Sequence, residues 1–221
     1  QLATRLGAAG LGIDQIDVIF ITHEHADHVG CAHTVALRHR IPVFMSRGTH
    51  VAIGAPDFDG LLQMAHDMVP IDLGTVCAVP FTVPHDAREP LQLRCTDGAS
   101  HLGLLTDLGH ASPHVLQQLH VCHALLRKAN HCPDMLAASG YPAFLKRRIA
   151  GVHGHLANHD AAGILAAVRH TGLNRVVAAH LSAQNNQPRL AQQALAHSMG
   201  WPADAVDIAS ATAGTDWINV V

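Results

Sequence analysis

Four potential metal ligands fall within six residues near the start of the chain. They follow an apolar run in the pattern His-x-His-x-Asp-His and are His23, His25, Asp27 and His28. Imidazole nitrogens and carboxylate oxygens suit borderline metals such as zinc and manganese. Histidines two apart at a strand end can point the same way. The pattern therefore favours a metal site over the alternative, a solvated polar turn.

Three more candidate ligands follow later apolar runs, namely His85, Asp107 and His180. Sites in α/β sheets collect at strand ends, so we expect these side chains to contribute to the same chemistry. The carboxylate of Asp107 could bridge two cations, which lie about 3.5–4 Å apart in two-metal phosphoesterases. Taken singly, each residue has an ordinary alternative, such as a turn aspartate or a hydrogen-bonded histidine at a strand end.

Apolar patterning and the Pro and Gly positions predict strands and helices that alternate along the chain. Strands are predicted at 17–22, 41–46, 67–72, 75–83, 91–96, 101–106, 121–126, 174–179 and 205–210. Helices are predicted at 1–9, 30–38, 113–119, 134–138, 142–148, 159–169 and 188–199. The first strand is continuous and β-branched, which is typical of burial on both faces. Without a repeat or linker, the pattern predicts one layered α/β domain over residues 1–221.

Composition limits the class of protein further. Of 221 residues, 48% are hydrophobic and 14% charged, which permits a sizeable core and excludes disorder. No apolar run approaches the roughly 18 residues that span a membrane, and no secretory signal is visible. Five cysteines, an odd number, favour a reducing compartment, so we expect a cytoplasmic protein. The net charge of −3 means that a nucleic-acid partner would need a local basic patch.

The motifs together resemble a known family. The resemblance covers roughly residues 11–220, and the stretches that carry it are THEHADHVG, VPHDAREP, LLTDLGH, ANHCPDMLAASGYPAFLKRRI, GHLANHDAA and AHLSAQNN. They are similar to the metallo-β-lactamase superfamily and, more narrowly, to its YycJ-type (WalJ-type) branch, described as exonuclease-like. The first stretch is shared by the whole superfamily, and the later ones are more specific to the branch. The resemblance implies an α/β fold of the αββα sandwich type.

The resemblance also implies roles for individual residues. One divalent ion would be held by His23, His25 and His85, the second by Asp27, His28 and His180, with Asp107 between them. A water activated by the two ions, zinc or manganese, would attack the phosphorus. Asp27 and His155 are the candidate catalytic residues, His155 because related nucleases carry a histidine near the scissile phosphate. Its ordinary alternative is a loop histidine before a helix.

Candidate substrate contacts lie in the branch-specific stretches. Lys146, Arg147 and Arg148 form the densest basic run and could hold a nucleic-acid backbone. The alternative for this run is a solvated helix face. Asn158 is a predicted N-cap for the helix over 159–169 and a candidate substrate contact. The implied function is a phosphodiesterase or exonuclease acting on single-stranded nucleic-acid ends.

The sequence departs from the family pattern in two places. The family opens with a β-hairpin that would precede residue 1, so we expect an incomplete sheet and either low stability or a homo-oligomer. The branch usually shows Glu-x-Asn-His-Asp where this chain has Lys128 and Cys132. A lysine at this position would oppose protonation of His155, so we expect metal binding with slow turnover.

Two other functional classes stay open at this point. A two-metal enzyme could instead cleave a small ester, thioester or lactam, although such a substrate has no need of the basic run at 146–148. The changes at Lys128 and Cys132 also allow a weakly active metal-binding relic. Activity on single-stranded DNA, compared with a chromogenic lactam or phosphodiester, distinguishes these classes.

Overall fold

The computed structural model describes residues 2–220 and divides them into two compact units. Unit 1 contains the residues up to 69 together with 87–91, and unit 2 contains 70–86 and the residues from 92 onward. Each unit has its own sheet and its own apolar core. The single domain predicted over residues 1–221 stays a prediction.

Nine α-helices and ten strands occur in the described part of the chain. The strands are β1 (Ile19–Phe20), β2 (Val43–Met45), β3 (Leu62–Met64), β4 (Ile71–Asp72), β5 (Cys77–Thr82), β6 (Leu91–Thr96), β7 (His101–Leu105), β8 (Ala124–Lys128), β9 (Arg175–Ala179) and β10 (Val206–Ile208). The helices are α1 (Leu2–Ala8), α2 (Ala26–Val29), α3 (Ala32–His39), α4 (Arg47–Ala52), α5 (Pro113–Leu119), α6 (Pro133–Ala138), α7 (Ala143–Ile149), α8 (Asn158–Val168) and α9 (Pro188–Met199).

Unit 1 is built on a three-stranded parallel sheet in the order β1-β2-β3. Its core contains Ile21, Met45 and Phe58. The prediction that the first strand is buried on both faces is wrong, because Ile19 and Phe20 are only half-buried. The physical reason is position, since β1 is an edge strand of its sheet and has a neighbour on one side only.

Unit 2 is built on a seven-stranded sheet in the order β10-β9-β8-β7-β6-β5-β4. Strands β7 to β10 run parallel, while the β4–β5 and β6–β7 pairs are antiparallel. Parallel neighbours need crossover connections, and the helices α5 to α9 lie in those connections along the chain. The carboxyl ends of β7, β8 and β9 therefore meet at one edge of the sheet.

Most predicted elements are confirmed. Helix α2 was not predicted, and the strand predicted at 67–72 is shorter, since β4 begins at Ile71. The strand predicted at 121–126 begins at Ala124, and neither α4 nor β3 was predicted, because residues 47–64 lack a clear apolar period. The prediction that Asn158 is the N-cap of α8 is wrong. Ala157 has the extended cap conformation, and Asn158 is the first helical residue. Residue 1 of the predicted first helix lies outside the described residues.

No helix within residues 2–220 combines the length and apolar character needed to cross a bilayer, and the longest, α9, has 12 residues. Each of the five cysteines is free of disulfide bonds.

A buried arginine interrupts the core of unit 2. Arg127 in β8 is 0% exposed, and its register partners Leu105 and Ala178 both belong to the apolar core. Burial lowers the pKa of the Arg127 guanidinium to about 9. Within residues 2–220, no hydrogen-bond acceptor reaches any of its three guanidinium nitrogens. An unpaired buried cation of this kind opposes folding.

We expect Arg127→Met to raise the free energy of unfolding by about 1–4 kcal/mol at neutral pH, because an apolar side chain removes the uncompensated charge. Chemical denaturation of both proteins measures the difference. The folded-state pKa lies below the unfolded one, so the unfolded chain binds more protons above a pH of about 9. The stability of the unaltered protein therefore rises with pH in that range, and the difference narrows.

The matched control for this change is Arg175→Met. Arg175 is an exposed arginine at the start of the neighbouring strand β9. Its replacement should leave the free energy of unfolding within about 0.5 kcal/mol of the original value. A lower stability of the Arg127→Met protein would contradict the assignment of Arg127 as an uncompensated charge.

Candidate metal centre

Three imidazoles gather in unit 1 on the loop and the short helix α2 that follow β1. His23 is fully buried, and its Nε2 lies 3.0 Å from Nδ1 of His25. The ring centroids of His23 and His28 are 4.0 Å apart. Imidazole nitrogens this close to each other are a donor set that a divalent cation can bridge. The loop therefore fits a divalent metal ion, as the sequence pattern predicts.

A hydroxyl that the sequence analysis did not identify orients two of these rings. Thr22 Oγ1 lies 3.0 Å from Nδ1 of His23 and 3.2 Å from Nδ1 of His28. A hydrogen bond at one ring nitrogen fixes which nitrogen is available to a metal, so Thr22 directs the Nε2 atoms of both rings. Thr22 directly precedes the His-x-His-x-Asp-His motif in the sequence, but its contact with His28 depends on the folded loop.

Asp27 supplies the carboxylate of the same loop. It lies in α2, after His25 in the N-cap position, and its Oδ2 is 3.8 Å from Nε2 of His28. Partial desolvation would raise the pKa of Asp27. Its backbone N–H and the neighbouring histidines, His28 first, outweigh that effect and hold the pKa below its usual range. Asp27 is therefore a carboxylate over a wider pH range than an ordinary aspartate.

Strand ends bring two of the other candidate ligands together in unit 2. Asp107 follows β7, is 3% exposed, and has its Oδ2 3.9 Å from Nδ1 of His180, which follows β9. His180 has a left-handed backbone with φ of 54°, and Asn130 Nδ2 donates to its carbonyl at 3.0 Å. Asp107 and His180 lie at one edge of the sheet, because the parallel register of β7, β8 and β9 brings these strand ends together.

A lysine lies at the centre of this edge. Lys128 ends β8, is 3% exposed, and its ammonium directly contacts Oδ1 of Asp107. The same Nζ lies 2.8 Å from Nδ1 of His155, and this nitrogen is 3.5 Å from Asp107 Oδ1. The expectation that Lys128 lies beside His155 is confirmed. An ammonium only donates, so Nδ1 of His155 is the acceptor and the ring proton is on Nε2.

His85 has a carboxylate neighbour that the sequence analysis also missed. Its Nδ1 lies 3.4 Å from Oδ1 of Asp86, and its ring centroid is 5.9 Å from that of His155. Arg148 donates to Asp86 Oδ2 through Nε at 3.1 Å and Nη2 at 2.8 Å. A carboxylate beside a histidine ligand fixes the ring and raises its basicity. Arg148 thus supports His85 through Asp86.

The other candidate substrate contacts have mixed surroundings. Lys146 Nζ donates to the carbonyl of Ala137 at 2.6 Å, whereas Arg147 is exposed. Asn158 is buried, and its amide exchanges two 2.8 Å hydrogen bonds with the amide of Asn186. Asn186 also donates to the carbonyls of residues 129 and 130. These bonds fasten the start of α8 to the chain after β8, and a substrate contact by Asn158 stays a prediction.

Cys132 has a local role that explains part of the family pattern. It is the N-cap residue of α6, and its side chain makes no capping hydrogen bond. Aspartate is a preferred N-cap residue because its oxygen accepts from the first free N–H groups of a helix. The aspartate that the branch usually carries at this position would therefore cap α6.

Comparisons with known proteins agree with this fold and these motifs. A model of the metallo-beta-lactamase superfamily matches residues 1–120, more than half of the chain. The chain therefore belongs to the metallo-β-lactamase superfamily, and the predicted α/β fold class is confirmed. Within the superfamily it is a YycJ/WalJ-type protein, and it is an enzyme of the hydrolase class that this fold carries.

The relatives cover most of the chain. Exodeoxyribonuclease YycJ of Bacillus anthracis is 30% identical over 192 residues, which are 85% of this chain and 72% of that protein. Exodeoxyribonuclease WalJ of Streptococcus pneumoniae is 26% identical over 191 residues, 84% of this chain and 71% of that one. Two solved structures share the fold at low identity. YhfI of Bacillus subtilis has a TM-score of 0.71 at 15% identity, covering 98% and 81% of the two chains. Zn²⁺-bound PqqB of Methylobacterium extorquens has a TM-score of 0.66 at 14% sequence identity, covering 88% of this chain and 71% of that one.

We expect Asp86→Ala to weaken divalent-metal binding by about 10–100-fold, because the His85 ring loses the carboxylate that orients it. Competition with a chromophoric chelator, using zinc or manganese, measures the affinity. Asp134→Ala is the matched control, since Asp134 is an exposed carboxylate in the first turn of α6. Equal affinities of the Asp86→Ala and Asp134→Ala proteins would contradict a supporting role for Asp86.

Proposed function

We propose that this chain is a metal-dependent exonuclease that hydrolyses phosphodiester bonds at the ends of single-stranded nucleic acid, DNA in the first place. The observation that carries the proposal is the 30% identity, over 85% of the chain, to a protein named exodeoxyribonuclease. The two donor clusters, one in each unit, support it. The proposed location is the cytoplasm, with which five free cysteines agree. Assembly into a homo-oligomer stays a prediction.

The proposed metal ligands are the seven residues of the family pattern. They are His23, His25, Asp27 and His28 of unit 1 and His85, Asp107 and His180 of unit 2. Their nitrogen and carboxylate donors suit two zinc or manganese ions. Bound divalent ions supply an activated water and stabilise the charge that develops on phosphate. The low pKa of Asp27 keeps its carboxylate ionised, so both oxygens stay available as acceptors.

His155 is the proposed contact to the phosphate. With Nδ1 accepting from Lys128, its Nε2 carries a proton and can donate a hydrogen bond to a phosphate oxygen. The neutral ring has no second proton to give, so protonation of the leaving oxygen has to come from solvent. Because general acid assistance is worth about 10²–10⁴-fold, we expect slow turnover, in line with the departure at position 128.

The proposed grip on the nucleic-acid backbone lies in α7. Of its three basic residues, Arg148 is already paired with Asp86 and Lys146 with a backbone carbonyl. Arg147 and Arg148 are both exposed, and Arg147, which has no such pairing in the described residues, is the first candidate for a phosphate contact. The whole chain has a net charge of −3 even with these three basic residues, so the rest of it supplies no positive field. Binding should therefore be local and sensitive to salt.

The central test replaces two ligands together. We expect the His23→Ala, His25→Ala protein to bind at least one metal equivalent fewer than the unaltered protein in the presence of saturating manganese or zinc. Its rate on single-stranded oligonucleotides should fall below about 1% of the original, since even changes beside a ligand cost about 10–100-fold. Elemental analysis and a labelled-DNA degradation assay measure the two quantities. A His39→Ala, His66→Ala protein, which loses two exposed histidines of unit 1, is the control.

The substrate arm of the test compares DNA forms and small substrates. A linear single strand should be shortened from an end, while a circular single strand of the same sequence should persist. A chromogenic lactam and a small phosphodiester are the comparison substrates. Loaded protein that hydrolyses the lactam or an ester faster than linear DNA would reject the exonuclease function, and protein that retains no metal would reject the metal centre.

The basic run has its own test. We expect Arg147→Gln to reduce the salt dependence of single-stranded DNA binding by about 0.7 in the log–log slope, the value for one lost phosphate contact. Fluorescence anisotropy at several salt concentrations measures it. Arg189→Gln, which removes an exposed arginine of α9, should leave the slope as it is. An unchanged slope after replacing Lys146, Arg147 and Arg148 together would mean that DNA binds to another surface.

A further inference from the structure

The ammonium of Lys128 lies where a metal ion would need the carboxylate of Asp107. Its Nζ contacts Asp107 Oδ1 directly and lies 2.8 Å from His155 Nδ1. The other oxygen of the same carboxylate, Oδ2, lies 3.9 Å from His180 Nδ1. The two oxygens of Asp107 thus have different partners, a cation on one side and a candidate metal ligand on the other.

We propose that Lys128 occupies one of the two cation positions of Asp107, so that the protein binds one divalent ion tightly and a second ion only weakly. This inference rests on the proposed metal-dependent function and concerns how the same centre is filled. Asp107 and His180 would hold the tightly bound ion. The weakly bound ion would need the side of Asp107 that Lys128 occupies.

Charge and space both keep a second ion from Oδ1 while Lys128 stays in place. A divalent ion bound there would lie within a few ångströms of the ammonium, and like charges at such separations repel strongly in a poorly solvated site. The carboxylate oxygen would also have to accept from Lys128 and coordinate the ion on the same side. Binding of the second ion therefore requires the ammonium to move.

Displacing the ammonium is costly because of its surroundings. Lys128 and Asp107 are each 3% exposed, so the ammonium has little access to water in its present position. The acceptor 2.8 Å away on His155 is neutral and cannot replace the carboxylate charge. An ammonium that leaves its anion while still buried loses most of its stabilisation. This cost is subtracted from the affinity of the second ion.

The experiment titrates metal-free protein with manganese and, separately, with zinc, by calorimetry and by elemental analysis after gel filtration. The unaltered protein should retain one equivalent tightly. Lys128→Met should retain two, with the dissociation constant of the second ion lowered at least about tenfold, the lower end of what changes beside a metal ligand produce. Adding Asp107→Asn to the Lys128→Met change should abolish this gain.

Arg175→Met is the matched control, because Arg175 is an exposed cation at the opposite end of the neighbouring strand β9. Its isotherm should equal that of the unaltered protein. Lys128→Gln serves as the second variant if Lys128→Met has a lowered melting temperature. Like Met, the neutral amide leaves Asp107 without a positive charge.

The outcomes separate this inference from the exonuclease proposal. Two tightly bound ions in the unaltered protein, or identical isotherms before and after the Lys128 changes, would overturn the role of Lys128. A gained second ion supports that role even if linear DNA is not degraded, and in that case the exonuclease function alone fails. A protein that binds no ion in either form overturns both.

Discussion

The ion pair between Lys128 and Asp107 is the interaction on which the chemistry of unit 2 depends. Parallel pairing of β7, β8 and β9 brings their carboxyl ends to one edge of the sheet. Asp107, which follows β7, therefore contacts Lys128, which ends β8. Both side chains are buried, and a buried charge that lost its partner would be strongly destabilising. The pair fixes Asp107, and with it the surroundings of His155 and His180.

Neighbouring residues of β8 illustrate how strand geometry decides the fate of a charge. Arg127 and Lys128 are consecutive, so their side chains point to opposite faces of the sheet. Lys128 points to the face where Asp107 provides a counter-charge, whereas Arg127 lies among core residues such as Leu125 and Leu105. The paired cation, Lys128, contacts two residues of the candidate site, Asp107 and His155. The unpaired cation has no acceptor within residues 2–220, so it only subtracts from the stability of the fold.

Sequence patterns predicted the parts of the site that depend on strand ends. Asp107 and His180 were expected to contribute to the same chemistry because sites in α/β sheets collect at strand ends, and the parallel register of β7, β8 and β9 brings the two residues to one edge. What could not be predicted depends on contacts between distant side chains. Asp86 is paired with Arg148, 62 residues later in the chain, and no local sequence pattern predicts such a pair. The N-cap of α8 was misassigned for a related reason, since the Asn158 amide is used by Asn186 instead of by its own helix.

The residue type at position 128 sets the local charge of unit 2. With a glutamate there, as in the branch pattern, the buried edge would hold two carboxylates, and each would favour the arrival of cations. With Lys128, the positive charge of the ammonium cancels the negative charge of Asp107 before any ion binds. The local net charge differs by two units from that of the glutamate arrangement. In the proposed metal centre, Asp107 and His180 therefore remain in position as donors, but the electrostatic attraction for a second cation would be largely removed. The same exchange turns the neighbour of His155 from an acceptor into a donor, so one substitution acts on both metal affinity and proton transfer.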